Sequence, residues 1–303
     1  MVWKRNLRVE PMSDASENGW SAPDPFVPRA MDSEDDPPSL IPFLADREEA
    51  DRLAVRESWR MPSSRKVDAH IDPFTLPWFL QIERRRYARH GAWIPRLLEF
   101  SKHHGEKLLA LGDGLGTDWV RYAEHGTEVI VCSPSNEQLL MVQRHFELRA
   151  VRGEFMEGEA TSLPVNSHGM DLVCLSERDW TKDDLSQTIQ EIYRVLKPGG
   201  KVMAIFPAWY NAAHWQRRLM PWQRWFGTPT PPVTERRFTS KELHSLFTSF
   251  SEVRIHKRHL RRGELPHLWR VLPLPILERF MGRYLIVKAF KPLSSVASMT
   301  VAA

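Results

Sequence analysis

The sequence predicts an α/β fold built on a mostly parallel sheet, and three observations carry that expectation. From Lys107 onward, short apolar runs alternate with longer segments of helical apolar spacing, the pattern of strand–helix–strand units. A glycine-rich stretch, Gly112-Asp113-Gly114-Leu115-Gly116, joins the first apolar run to the first of those helical segments. Further on, Lys197-Pro198-Gly199-Gly200 ends a helical segment and a new apolar run starts at once. That composition reads as a helix stop and a sharp turn.

The elements follow in order. Residues 1–64 are expected to form a disordered, acidic leader. They are rich in Pro, Asp, Glu and Ser, as in Ser33-Glu34-Asp35-Asp36-Pro37-Pro38-Ser39, and hold too little apolar surface to offset ordering entropy. Residues 65–105 carry two helices, at 76–90 and 93–100, with arginine clusters opposite their apolar faces. In the core domain, 106–292, strands are expected at 107–111, 128–132, 154–156, 171–175 and 201–206. Helices at 117–124, 136–149 and 184–196 lie between them, and two further strands, at 252–259 and 284–290, close the domain. Residues 208–282 form a cover region rather than one clean crossover helix, and 293–303 is a tail.

Bulk composition sets limits. The 303 residues are 42% hydrophobic, enough for a well-filled core. Both cysteines, Cys132 and Cys174, fall in apolar strand runs, as reduced buried thiols do in a cytoplasmic protein. No Cys/His cluster with metal-ligand spacing is present in the sequence, so no metal is expected. No apolar run reaches the roughly 20 residues of a spanning helix, and the first ten residues lack the apolar core of a signal peptide. Net charge is +4 but unevenly placed: residues 1–60 hold 8 Lys/Arg against 13 Asp/Glu, and residues 208–303 hold 16 against 5.

The glycine stretch carries the chemistry. Glycines let backbone approach a ligand closely, and the helix N-terminus that follows offers N–H groups and a positive dipole end. The spacing is G-x-G-x-G, with Thr117 where a dinucleotide fingerprint wants a further glycine. A second motif, Gly158-Glu159-Ala160-Thr161-Ser162-Leu163-Pro164, leads into Met170-Asp171-Leu172-Val173, and the third is Leu196-Lys197-Pro198-Gly199-Gly200.

In this order and spacing the motifs resemble class I S-adenosylmethionine-dependent methyltransferases, especially the branch of the ubiquinone and menaquinone biosynthesis enzymes. The resemblance covers roughly residues 80–207. It implies a Rossmann-like, seven-stranded, mostly parallel sheet with helices on both faces and an antiparallel last strand. It also implies S-adenosyl-L-methionine as cofactor. Gly112, Asp113, Gly114 and Gly116 would then surround the methionine part, Ser133 would stand at the ribose, and Glu159 and Ala160 would lie beside the adenine. Leu175 and Ser176 would end the fourth strand near the transferred methyl. Catalysis in this family is largely positioning and water exclusion, so no catalytic residue is singled out.

Departures from the family pattern are visible. Ala110 and Ser133 stand where relatives usually carry acidic residues at the ends of the first two strands, Glu159 replaces the commoner Asp, and Ser176-Glu177-Arg178-Asp179-Trp180 replaces a Leu-His-His type segment. A lost charge-assisted hydrogen bond costs about 1.5–3 kcal/mol, and Asp113 or Asp118 is a candidate to restore charge near the loop. The expected function is methyl transfer to a small-molecule or lipid-like acceptor, apolar or anionic. A degenerate, non-catalytic binding or scaffold protein on the same fold is the alternative. After the fifth strand, the run 209–226 interleaves four tryptophans with three arginines. It reads as a cap on the acceptor, a peripheral membrane contact, or a helix packing its tryptophans on the sheet. Nucleic acid is disfavoured as a partner, because no base-stacking element is evident.

Overall fold

The chain divides into two units, Met1–Ser39 and Leu40–Ala303. A computed structural model describes residues 50, 52–53, 71–88, 91–112, 114–175, 182–219, 236–260, 265, 269 and 271–293, all in the second unit. The expected leader therefore lies outside the described residues, except for Ala50, Arg52 and Leu53, which are helical rather than unstructured. Ala50 is buried against Trp78, Phe79 and Ile82.

Seven strands form one sheet: β1 (Lys107–Leu111), β2 (Glu128–Ser133), β3 (Glu154–Glu157), β4 (Met170–Leu175), β5 (Leu196–Pro207), β6 (Glu252–Arg258) and β7 (Tyr284–Phe290). Their spatial order is β3-β2-β1-β4-β5-β7-β6. Strands β1 to β5 are parallel, and β7 runs antiparallel to both β5 and β6. The order reverses between β1 and β4, the crevice where open α/β sheets bind ligands at the carboxyl ends of their strands. The expected architecture is the observed one.

The side-chain period of two explains why the central strands read as unbroken apolar runs. Leu109, Leu111, Ile130, Val173 and Leu175 face one layer, where α5 (Lys182–Val195) and α7 (Ser240–Leu246) pack. Leu108, Ala110, Val129, Val131 and Leu172 face the other, against α2 (Ile94–Leu98), α3 (Thr117–Glu124) and α4 (Asn136–Leu148). A third cluster sets Trp78, Phe79 and Ile82 of α1 (Leu76–Arg86) on Leu115 of the glycine stretch and Met141 of α4. Each fully buried side chain of this size contributes about 1.5–3 kcal/mol.

Two boundaries differ from expectation for physical reasons. The first helix stops at Arg86 and not at residue 90. Arg86 is buried, outside the solvated face expected for its arginine cluster: its guanidinium grips Asp118 of α3 through Nε–Oδ1 at 2.8 Å and Nη2–Oδ2 at 2.5 Å, and Tyr87 Oη donates to the same carboxylate at 2.7 Å. The fifth strand begins at Leu196, not 201. Met170 pairs with Leu196 and Leu172 with Lys201, so the Lys-Pro-Gly-Gly turn is a bulge inside the strand, with Gly199 at φ 78° supplying the left-handed bend.

Candidate functional site

Strand β1 delivers Gly112 to the carboxyl edge, where the chain turns with φ 131° at Gly112 and 72° at Gly116. A Cβ at Gly116 would stand 2.7 Å from Val142 Cγ1, so packing as well as dihedral requires glycine there. Helix α3 starts directly after, and no side chain caps its N-terminus, which leaves backbone donors at that end of the helix.

Gln138 and His145, both in α4, hold the loop. The Gln138 Nε2 donates to the carbonyls of Gly112 at 2.7 Å and Gly114 at 3.2 Å. His145 Nδ1 lies 2.8 Å from the Leu115 carbonyl, and its ring stacks on Phe79 at 4.0 Å. Burial pushes the His145 imidazole down to about 4, so at neutral pH the ring is uncharged and donates through Nδ1. Seven residues apart, the two side chains lie on one face of α4.

Ser133 closes β2 and is buried. Its hydroxyl donates to Gln138 Oε1 at 2.6 Å and accepts from the backbone N–H of Ser135 at 3.1 Å. An acid at this position would set a carboxylate against Gln138 Oε1. The Ser133 carbonyl accepts from the Gly158 N–H at 3.1 Å, which draws the Gly158-Glu159-Ala160 segment to the end of β2. Glu159 is exposed there and Ala160 buried. Thus Gly112, Gly114, Ser133 and the 158–160 segment meet along one hydrogen-bonded line, with Gln138 at its centre.

Not every expected residue joins that line. Asp113 and Ser176 lie outside the described residues. Asp118 does not supply loose negative charge to the loop, because Arg86 and Tyr87 engage both of its oxygens. Ala110 is buried within β1. The role of Gln138 was not read from the sequence. Its visible signal is Ser135-x-x-Gln138, a capping-box spacing. Ser135 does cap α4, its Oγ accepting from the Gln138 N–H at 3.3 Å, but the Gln138 side chain turns to the glycine loop instead. Both cysteines are free and buried, with burial pushing Cys132 up to about 11 and Cys174 higher still. Burial thus holds both as thiols, not thiolates, at neutral pH.

Further along the same edge, Ala208 pairs with Phe238 and the Trp209 N–H donates to the Phe238 carbonyl at 2.8 Å. Asn211 Oδ1 caps α6 (Ala212–Leu219) by accepting from the His214 N–H at 3.0 Å. Tyr210, Trp215, Lys257 and Phe280 border a cavity of about 300 Å3. A larger hollow, about 530 Å3, sits at the amino ends of β1, β2 and β3, bordered by Lys107, Glu128 and Glu154, on the opposite edge from the glycine loop. Trp222 and Trp225 lie outside the described residues, so the four-tryptophan reading rests on Trp209 and Trp215 alone. Among the described residues no group of His, Cys, Asp or Glu has the geometry to hold a metal, and no helix is long and apolar enough to cross a membrane.

Comparison with known proteins gives this arrangement a class. Residues 108–200 match the family described as a methyltransferase domain. These residues thus carry a methyltransferase domain. Within that class, its sequence similarity runs to the quinone-biosynthesis kind. A demethylmenaquinone methyltransferase of Paenarthrobacter aurescens is 30% identical over 113 residues, 35% of this chain and 43% of that protein. The ubiquinone/menaquinone biosynthesis C-methyltransferase UbiE of Cereibacter sphaeroides is 27% identical over 121 residues, 38% and 48% of the two chains. This chain therefore spans less than half the length of these curated relatives. Magnesium protoporphyrin IX methyltransferase from Synechocystis, solved with bound SAH, shares the fold at a TM-score of 0.51 and 13% identity, covering 78% of this chain and 93% of that one.

Proposed function

We propose that the protein transfers a methyl group from S-adenosylmethionine to a small, lipid-like acceptor. The observation that carries this reading is the glycine loop, clamped by Gln138 and His145 at the topological switch point and joined through Ser133 to the 158–160 segment. The loop fits the methionine end of the cofactor. Gly112 and Gly116 take dihedrals that free backbone for close approach, and α3 presents an N-terminus without a side-chain cap. At the ribose position the chain offers no carboxylate, and the Ser133 hydroxyl is already spent on Gln138. Beyond Ser133 the carboxylates that would be available to the cofactor are those of the exposed Glu157, its partner in register on β3, and of Glu159, which the family resemblance sets beside the adenine.

When bound, S-adenosylmethionine supplies an electrophilic methyl on a positively charged sulfur. The chain's part is to bind, orient and exclude water. Rigid placement of the loop by α4 holds one side of the site. Tyr210, Trp215 and Phe280 offer an aromatic wall for a flat or lipid-like acceptor further along the edge. The names of the curated relatives, which act in menaquinone and ubiquinone biosynthesis, support that acceptor class. The test is label transfer from methyl-labelled S-adenosylmethionine to a demethylated quinone, against a polar amine and a short RNA. Label on the quinone alone is the expected result, and label on the amine or RNA would overturn the acceptor assignment.

A further inference from the structure

Helix α8 (Leu274–Met281) has an unusual distribution of apolar residues. Leu277 and Met281 are buried and, with Leu274, pack into a small cluster around Leu260 and Leu265. The adjoining sector of the same helix, about 100° around from that stripe, carries Ile276 and Phe280, which are 56% and 59% exposed. Just before the helix, Val271 is 88% exposed and Leu272 50%. Glu278 and Arg279 give this helix a polar strip, but its apolar arc is wider than the stripe it buries and extends to the exposed Ile276 and Phe280.

The face continues beyond α8. Tyr210 and Phe280 border one cavity, and the Lys257 ammonium donates to the backbone carbonyls of both. Trp209, beside Tyr210, is half exposed. Two exposed aromatics of the kind that sit at a membrane–water interface therefore adjoin α8 through Phe280, with Arg279 and Lys257 at the cavity rim.

Charge selects the occupant. Residues 208–303 hold 16 Lys/Arg against 5 Asp/Glu, a balance of +11, whereas residues 1–207 hold the remaining 26 against 33, a balance of −7. A second copy using the same face would set Arg279 and Lys257 against their own counterparts, because a two-fold interface is self-complementary. An anionic bilayer answers both the apolar and the basic character, since apolar side chains enter the headgroup boundary while Lys and Arg meet lipid phosphates.

We propose that Trp209, Tyr210, Val271, Leu272, Ile276 and Phe280 form a docking surface for an anionic lipid bilayer. This surface stands independently of methyl transfer. It would bring a lipid-dissolved molecule to the carboxyl edge of the sheet.

The experiment is co-sedimentation of the full chain with phosphatidylcholine vesicles, with and without phosphatidylglycerol. The parent protein binds the phosphatidylglycerol vesicles, binds pure phosphatidylcholine far less, and releases as salt rises. Val271→Ser/Ile276→Ser weakens binding by about ten-fold or more, and Arg279→Glu weakens it on anionic vesicles alone. These side chains are exposed, so melting curves of the variants stay with the parent. Absence of binding to phosphatidylglycerol vesicles overturns the proposal, as does equal binding by parent and both variants. Sedimentation velocity covers the competing occupant: self-association of the parent that Val271→Ser/Ile276→Ser abolishes would make this face an interface between copies, and would equally overturn it.

Discussion

Replacing Gln138 by Met tests the clamp on the glycine loop. Methionine matches the length of glutamine and stays apolar, so the buried volume is kept while three hydrogen bonds vanish, to Gly112, Gly114 and Ser133. Gly112 and Ser133 are buried; the Gly112 carbonyl loses its Gln138 partner and the Ser133 hydroxyl loses its acceptor. A buried polar group left without a partner costs about 1–3 kcal/mol, so the variant should lose roughly 2–4 kcal/mol. For a domain of this size that is a fall in melting midpoint of roughly 4–16 °C. The loop also loses its fixed geometry, and affinity for S-adenosylmethionine should drop about ten-fold or more. Gln138→Glu is the harsher change, because a carboxylate oxygen would then face the Gly112 and Gly114 carbonyls. Thermal and urea melts, set beside calorimetric titration of the cofactor, read both effects. If Gln138→Met melts with the parent and binds the cofactor equally well, the clamp does not organise the site.

Other expected outcomes concern the supports around the loop. Arg86→Ala leaves the Asp118 carboxylate buried without its guanidinium and should cost about 3–5 kcal/mol in urea unfolding; a loss below about 1 kcal/mol would show that the pair is solvated in solution. His145 has its folded value lowered to about 4, below the ordinary imidazole value. The unfolded chain therefore binds more protons between these limits, and stability falls as pH drops from about 6.5 to about 4. His145→Phe should flatten that window in a pH series of melts. Burial alone would raise the Glu99 carboxyl, but hydrogen bonds and charge from Lys201 and Lys288 outweigh it and hold the group at about 2. Its contribution is present above the ordinary carboxylate range and is lost as pH falls toward 2, and Glu99→Gln should remove that part of the acid limb. Gly116→Val meets Val142 and a left-handed φ at once, so cofactor binding should be lost in titration even where the fold survives.

Much of the fold was legible because burial on both faces writes itself as apolar runs. Leu108-Leu109-Ala110-Leu111 and Val129-Ile130-Val131-Cys132 feed two opposite cores, so their strand character shows in the sequence. The start of β5 was less legible: proline and two glycines signal a turn, and only strand pairing reveals that the turn bulges within a strand. The glycine loop was found by its composition. Its holder was not, since Ser135-x-x-Gln138 has the same spacing as an ordinary helix start, and which way the glutamine turns depends on β1 lying beside α4. Arg86 and Asp118 were misread for the same reason. A charged residue on a helix with arginine neighbours reads as solvated until a partner 32 positions away in sequence is seen at 2.5 Å. That β2 ends in Ser133 and not in an acid was legible, whereas the commitment of its hydroxyl to Gln138 was not.

The central claim is that this chain binds S-adenosylmethionine at the Gly112–Gly116 loop. Calorimetric titration of the full chain with S-adenosylmethionine, beside a nicotinamide dinucleotide, tests it most directly. The account predicts saturable binding of S-adenosylmethionine that Gly116→Val removes, with no binding of the dinucleotide, whose fingerprint fails at Thr117. Silence with S-adenosylmethionine at millimolar concentration, or binding that Gly116→Val leaves intact, would contradict it.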